Sequence, residues 1–385
     1  MDYNPIFVSK VKRLITVFTL LIAFFSFNTR AFAQVDSLAA ADSTSAHGEH
    51  AAQAGHGAEE KKFNIGQFAL HHVADSHTWH VIGDTYIGLP VILYTSAGIV
   101  TFNSSEFKHD DDARVVVEKD GQRFVKMHEK IYYASETANE HGQYVALDES
   151  HHAQNERPLD FSITKNVCTL LLSVVIMLWV FLSVAKAYKT RKGKSPKGLQ
   201  SWLEPIILFV RDDIAKPNLG HKYERFMPYL LTVFFFIWFN NMLGLVPFLP
   251  GGANLTGNIA VTMILAIATF LLTIFNGNKY YWKHIFLPDV PKWMYVVMVP
   301  VEVVGIFTKP IALMIRLFAN ITAGHILVLS LVCLVFVFNS LYIAPVSIAF
   351  AVFIGAIELL VAFIQAFIFT ILSALFIGMA IEEHH

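Results

Sequence analysis

The chain has 385 residues, 55% of them hydrophobic, with 33 phenylalanines and a formal net charge of −1. With a mean hydropathy of +0.49, this excludes an ordinary soluble enzyme and indicates a polytopic membrane protein with a polar portion. The near-neutral charge offers no footprint for nucleic acid. The two cysteines, Cys168 and Cys333, fall in different apolar runs and read as buried small hydrophobes, not as a disulfide or metal site.

Residues 1–33 have the layout of a secretory signal. Lys10, Lys12 and Arg13 form a basic region, Leu14 to Phe27 an apolar core, and Ala31-Phe32-Ala33 a small-x-small cleavage site. A retained membrane helix is the alternative, and the apolar core is short for one. Cleavage would leave Gln34 at the mature N-terminus, on the far side of a bacterial inner membrane. Residues 34–62, rich in Ala, Ser, Gly, Glu and His, lack periodicity and are expected to be disordered. The histidines His47, His50, His56, His71, His72, His77 and His80 match no fixed metal-ligand spacing and read as a surface-exposed tract.

Residues 63–160 are expected to form a small β-rich extracytoplasmic domain and linker. Short apolar–polar alternations occur at Thr78–Ile82, Leu89–Thr95, Gly98–Phe102, Arg114–Glu118 and Arg123–His128, with Asp120-Gly121 as a hairpin signal between the last two. Residues 136–160 are polar and read as a linker or short helix.

The membrane domain is assigned to residues 161–385. Val167 to Ala185 is the first span. The cluster Lys186, Lys189, Arg191, Lys192, Lys194 and Lys197 after it places the next loop in the cytoplasm. Leu199 to Lys216 mixes apolar and charged residues, as an amphipathic interfacial helix does. Phe226 to Phe248 and Ile259 to Phe275 are the second and third spans. The loop between them lacks Lys and Arg, whereas Asn276 to Lys292 carries Lys279, Lys283 and Lys292 and reads as cytoplasmic. Two long helices follow, outward from about Trp293 and back over Val346 to Ala380, both long enough to require tilt. The fold expected is an all-α polytopic membrane protein of about five spans plus an interfacial helix, with a β-rich N-terminal region outside.

Arg316 stands in the fourth apolar run, roughly 20 residues from either end and beyond snorkelling reach. A mid-bilayer cation costs from about 3 to over 10 kcal/mol and marks a functional site by default. Arginine keeps its proton, so Arg316 is a fixed charge and not a carrier. Ala319, Ala323 and Gly324 leave a low helix surface beside it, which lets another helix approach. No carboxylate of this chain is an obvious tight partner, so an anion on another subunit is expected.

Glu302, Lys309 and Arg316 are spaced by seven and lie nearly on one face, which Asn320 joins. His325 points to a different neighbour. On the last helix Glu358 and Gln365 share a face. An antiparallel hairpin turning near residue 341 levels Gln365 with Arg316 and Glu358 with His325. A His and a Glu at one depth suit a proton relay, with a structural hydrogen-bonded pair as the alternative. Glu302, about 21 Å inward of Arg316 at 1.5 Å per residue, suits an inner aqueous path. Lys309 is open between that path and a reach to the cytoplasmic interface.

These residues carry a resemblance. Lys309-Pro310, Arg316-Leu317-Phe318-Ala319-Asn320, Ala323-Gly324, Glu302, the segment Asn241 to Pro247, Gln365-Ala366-Phe367-Ile368-Phe369 and Glu382-Glu383-His384 resemble the a subunit of F-type ATP synthases over about residues 160–385. The resemblance implies two offset proton half-channels against a c-subunit ring. Arg316 would drive deprotonation of the ring carboxylate and prevent leak. It also implies a b-subunit stalk, the rest of the synthase and a lipid bilayer as partners, a non-catalytic role, and no cofactor. Family members often carry Glu where this chain has His325 and His where it has Glu358, an apparent exchange. Residues 34–160 exceed the family core. A proton-coupled transporter using Arg316 to bind an anionic solute is the competing reading; it would be expected to show internal repeats and broken half-helices. No GxxxxGK[ST] loop occurs, so ATP chemistry lies elsewhere.

Overall fold

The computed structural model describes residues 75–82, 85–148, 153–191, 194–245, 255–288, 290–337 and 344–382. The signal-like segment, the tract from 34 to 62 and His47, His50, His56, His71 and His72 lie outside them. The chain divides into two compact units, at residues 170 and 171 along the sequence.

The first unit is built of short antiparallel strands: β1 (Thr78–Ile82), β2 (Thr85–Gly88), β3 (Pro90–Thr95), β4 (Gly98–Asn103), β5 (Val117–Lys119), β6 (Gln122–Met127), β7 (Lys130–Tyr133) and β8 (Leu159–Asp160). They form a β1–β2 pair and two three-stranded sheets, β4–β3–β8 and β5–β6–β7. Alternation in β3 buries Val91, Leu93 and Thr95 and leaves Pro90 and Tyr94 exposed, as one buried sheet face requires. Val91 pairs with Phe102, and Leu93 with Val100. These four join Phe107, Val117, Phe124 and Ile131 in one core. The β5–β6 hairpin turns at Asp120 and Gly121, whose φ values of 51° and 72° are the pair of positive angles that a two-residue type I′ turn needs.

Residues 136–160 differ from the linker or short helix expected. They hold no helix among the described residues; Tyr144, Val145, Leu147 and Ala153 pack with Ala113, Val125 and Met127, and β8 pairs with β3. β2 and β7 were not foreseen from the sequence.

His77 also differs from the exposed tract expected. It is 4% exposed. Its Nε2 lies 3.1 Å from Asp160 Oδ2, and its backbone N–H donates to Glu129 Oε2 at 3.1 Å. Glu129 Oε1 in turn pairs with Lys126 Nζ at 3.3 Å. Burial works to discharge His77, but hydrogen bonding and attraction from Asp160 and Glu129 prevail and hold its pKa at about 9. Burial works to raise Glu129, but His77 and Lys126 prevail and hold it at about 2. The cluster is a buried salt-bridge network in which His77 Nδ1 stands 3.7 Å from Glu129 Oε2, beyond hydrogen-bond distance.

The second unit is helical and takes α1 (Lys165–Thr190) from Leu171 onward. α1 is followed by α2 (Leu199–Phe209), a π-helical segment Val210–Ala215, α3 (Lys216–Leu219) and α4 (Tyr223–Leu245). Then come α5 (Ile259–Phe275), α6 (Lys279–Phe286), α7 (Tyr295–Val337) and α8 (Ala344–Ile381). Among the described residues four helical runs are long and apolar enough to cross a membrane, or five if α5 and α6, bent by 100° at their break, count as one. α6 falls where the sequence suggested a loop.

The α4, α5 and α8 core holds Leu230, Val233, Phe234, Ile237, Leu265, Ala366 and Phe369, each no more than 2% exposed. Helix ends leave carbonyls without helical donors. At the end of α8, Asn278 N–H donates to the Ala380 carbonyl at 2.8 Å, and its side-chain amide donates to the Ile381 carbonyl at 2.9 Å. Both orphan acceptors are thus satisfied from outside the helix.

Candidate functional site

α7 presents two contrasting stripes. Leu313, Leu317 and Ile321, four residues apart, are buried against the other helices, as the helical repeat predicts for one face. Arg316, Ala319, Asn320 and Ala323 are exposed on the other side. Arg316 stands midway along α7 and forms no ion pair with any described residue. Only 6% of the most apolar window of α7 is buried within the chain, against 44% for α8. A long apolar helix with so little of its surface covered, and a cation on the uncovered side, is built to meet something outside the chain.

On the covered side, α7 meets α8. His325 Nδ1 lies 3.8 Å from Glu358 Oε1, with the carboxylate 7% exposed. That separation exceeds a hydrogen bond, and Glu358 Oε1 is buried without a hydrogen-bond partner among the described residues. Movement of about 1 Å by either side chain makes the bond. The space for the carboxylate comes from Gly324: a β-carbon there would stand 2.9 Å from Glu358 Oε1 and 3.2 Å from its Cδ. Gly324 therefore serves the contact with α8; Ala319 and Ala323 supply the low surface beside Arg316. Gln365 is 5% exposed on α8, and no hydrogen bond joins it to Arg316 among the described residues.

Glu302 and Lys309 sit further toward the start of α7, both half-buried. The Lys309 ammonium does not simply leave the bundle. It lies 5.7 Å from the centre of the Phe376 ring, within reach of a cation–π attraction. It also lines a cavity with Thr269, Thr273 and Tyr281. Sequence reasoning passed over those three hydroxyls; the available signal was Thr269 and Thr273, polar residues four apart in an otherwise apolar span.

Comparison with known proteins fits this geometry. A family model described as ATP synthase A chain matches residues 167–378. The chain belongs to the ATP synthase A chain family, the a subunits of F-type ATP synthases. Among its relatives, the ATP synthase subunit a of Chloroherpeton thalassium is 50% identical over 232 residues, 58% of this chain and 69% of the relative. ATP synthase subunit a 2 of Chlorobaculum tepidum is 48% identical over 229 residues, 57% of this chain and 64% of the relative. The subunit of Myxococcus xanthus is 45% identical over 233 residues, 59% of this chain and 75% of the relative. Residues 68–161 match a second model, described only as a domain of unknown function.

In this a subunit the last turns of α4 are tied to α8 by Asn241. Its side-chain amide donates to the Ala362 carbonyl at 3.2 Å, and its Oδ1 accepts from Thr256 Oγ1 at 2.6 Å. Asn241 is 3% exposed, so both bonds form away from water, where losing a partner costs the full desolvation penalty.

Proposed function

We propose that this a subunit carries protons across a bacterial inner membrane through two offset half-channels that open against a ring of c subunits, with a b-subunit stalk and the remaining subunits as further partners. The observation that carries the reading is Arg316: a permanent cation on the uncovered, small-residue face of α7, unpaired among the described residues. A ring carboxylate arriving at that face meets a positive charge in low dielectric. Its ionised form is favoured and its proton is released. Because arginine keeps its own proton, it also separates the two half-channels. His325 and Glu358 serve the outer path. Asn320 flanks Arg316, Gln365 stands on α8 at its level, and Glu302 belongs to the inner path. The chain performs no ATP chemistry itself. The signal-like N-terminus and the lysine-rich loops support a β unit outside the membrane and a cytoplasmic C-terminus.

A transporter using Arg316 to bind a solute would need half-helices broken near mid-membrane; α7 and α8 run continuously for 43 and 38 residues. ATP-driven acidification of inverted membrane vesicles tests the proposal, with assembly checked by immunoblot. Arg316→Ala is expected to abolish acidification in an assembled complex. Normal acidification would overturn the role of Arg316.

A further inference from the structure

α5 is 17 residues long. At 1.5 Å per residue that is about 25 Å, close to the roughly 30 Å of a bilayer's hydrocarbon core. Its last residue, Phe275, is 81% exposed and stands at the edge of that core. There the chain bends by 100° into α6. An amphipathic helix that leaves a span at a right angle lies along the interface. Contacts fix the bend. Gly277 admits it, since a β-carbon there would stand 3.0 Å from Tyr281 Cδ1 and 3.2 Å from Trp282 Nε1. Asn278 ties the start of α6 to the end of α8, and Ile285, 2% exposed, buries its far end.

The other side of α6 carries charge. Lys279 and Lys283 are exposed and, four residues apart, share one face. Like charges at that spacing destabilise a helix. Lys279, in the first turn, also opposes the helix dipole. Neither lysine has an ion-pair partner among the described residues, and α6 contains no Asp or Glu. Local stability argues against both lysines, and an anion held between them relieves both conflicts. Beside them Trp282 and Phe286, also four apart, stack with ring centres 6.1 Å apart. Tyr280, Phe286, Leu287 and, just before α7, Trp293 are each more than half exposed. Exposed Trp and Tyr concentrate at headgroup depth.

We propose that α6 is a binding site for an anionic phospholipid: Lys279 and Lys283 hold the headgroup phosphate, and the Trp282–Phe286 stack packs against the upper part of an acyl chain. The inference rests on the membrane placement in the reading above, which makes this the cytoplasmic leaflet. The site sets a pair of cations beside exposed apolar surface, and a phospholipid supplies the complement of both. Free phosphate would satisfy the lysines alone and leave the aromatic rings in water. Lysine suits the role as a compact charge on a flexible stem that reaches a phosphate without demanding one fixed geometry.

The test is photocrosslinking of the whole complex in phosphatidylcholine vesicles. A trace of photoactivatable phosphatidylglycerol is added to one sample and of photoactivatable phosphatidylcholine to another, and the labelled peptides are located by mass spectrometry. Each lysine beside an anionic headgroup contributes about fivefold in affinity. The phosphatidylglycerol probe is therefore expected to label residues 277–287 more than about tenfold over the neutral probe. Lys279→Gln with Lys283→Gln is expected to bring the ratio close to one, and Lys279→Arg with Lys283→Arg to keep it. Where the double glutamine variant fails to assemble, the single variants decide, each expected to lose about fivefold. Equal labelling of the wild type by both probes overturns the site and leaves α6 among bulk lipid. Labelling by neither means that another subunit covers α6 and also overturns it. Loss of the preference on adding inorganic phosphate at matched ionic strength assigns the lysines to free phosphate and overturns the lipid. Arg316→Ala is expected to keep the preference whether or not it pumps, so this inference and the proton-translocating reading fail separately.

Discussion

Gly324 and Glu358 meet where the two long helices of the a subunit cross, and a β-carbon on the glycine would stand 2.9 Å from the Glu358 carboxylate oxygen. Real β-carbons do not approach so closely, so either the carboxylate or the helix must yield. Small residues in membrane helices generally mark such approaches. Here the approach carries an ionisable group, and the backbone of α7 itself becomes one wall of the candidate proton path.

Gly324→Ala is accordingly expected to leave the complex assembled, because the carboxylate is the end of a flexible side chain. It is expected to cut ATP-driven pumping several-fold by moving Glu358 away from His325. Gly324→Val, larger and β-branched, is expected to cut it further. Pumping rates in inverted vesicles, normalised to assembled complex, check the order. Equal rates for glycine and valine would remove Gly324 from the path.

His325 and Glu358 form a reciprocal pair, so exchange is expected to be better tolerated than loss. Glu358→Gln and His325→Gln are each expected to lower pumping by at least tenfold. The double variant His325→Glu with Glu358→His is expected to recover more activity than either half of the exchange alone. Groups in direct contact couple in this way, whereas distant ones contribute independently. Additive losses in the double variant would mean that the two residues act separately.

Parts of this arrangement were legible in the sequence because they are local. The third span was expected at Ile259 to Phe275, the range of α5, since one apolar run ends at Asn276-Gly277. The Asp120-Gly121 turn was readable because only a few residue pairs adopt two positive φ angles in succession. The depth match of His325 with Glu358 followed from helical rise alone. What escaped depends on partners distant in sequence. Nothing around His77 signals that Glu129 and Asp160, 52 and 83 residues away, would bury it. β8 is two residues long and exists because β3 is beside it. Helix α6 spans eight residues, too short to stand without tertiary contacts. The cavity at Lys309 needed four helices brought together before its hydroxyls could be seen as one group.

Gly378 on α8 faces the backbone of Asn218, and a β-carbon there would collide with the Asn218 carbonyl. The obstacle is backbone, which cannot swing aside as a carboxylate can. Gly378→Ala is therefore expected to destabilise the helical unit by about 1–3 kcal/mol, the usual range for overpacking. It is expected to lower the detergent-solubilised melting temperature and the amount of assembled complex while leaving the pH profile of the remaining activity in place. A changed pH profile at normal abundance would point to a role in the proton path instead.

The His77 cluster makes the β unit sensitive to pH at both extremes. The folded-state pKa of His77 is raised from 6.5 to about 9. Its contribution is fully present below 6.5 and is lost as pH rises through 9. Glu129 is lowered from 4.5 to about 2, so its contribution is present above 4.5 and is lost as pH falls through 2. Both are complete only between about pH 4.5 and 6.5. His77→Ala removes the cation that Asp160 and Glu129 share and leaves Glu129 with Lys126 alone. Breaking a buried pair in this way costs about 3–5 kcal/mol. In the full chain, limited proteolysis is expected to cut within residues 75–160 of the variant under conditions that leave the wild type intact. Its resistance is also expected to lose the decline that the wild type shows between pH 7 and 9. Equal protease resistance at every pH would mean that the cluster contributes nothing to holding the unit together.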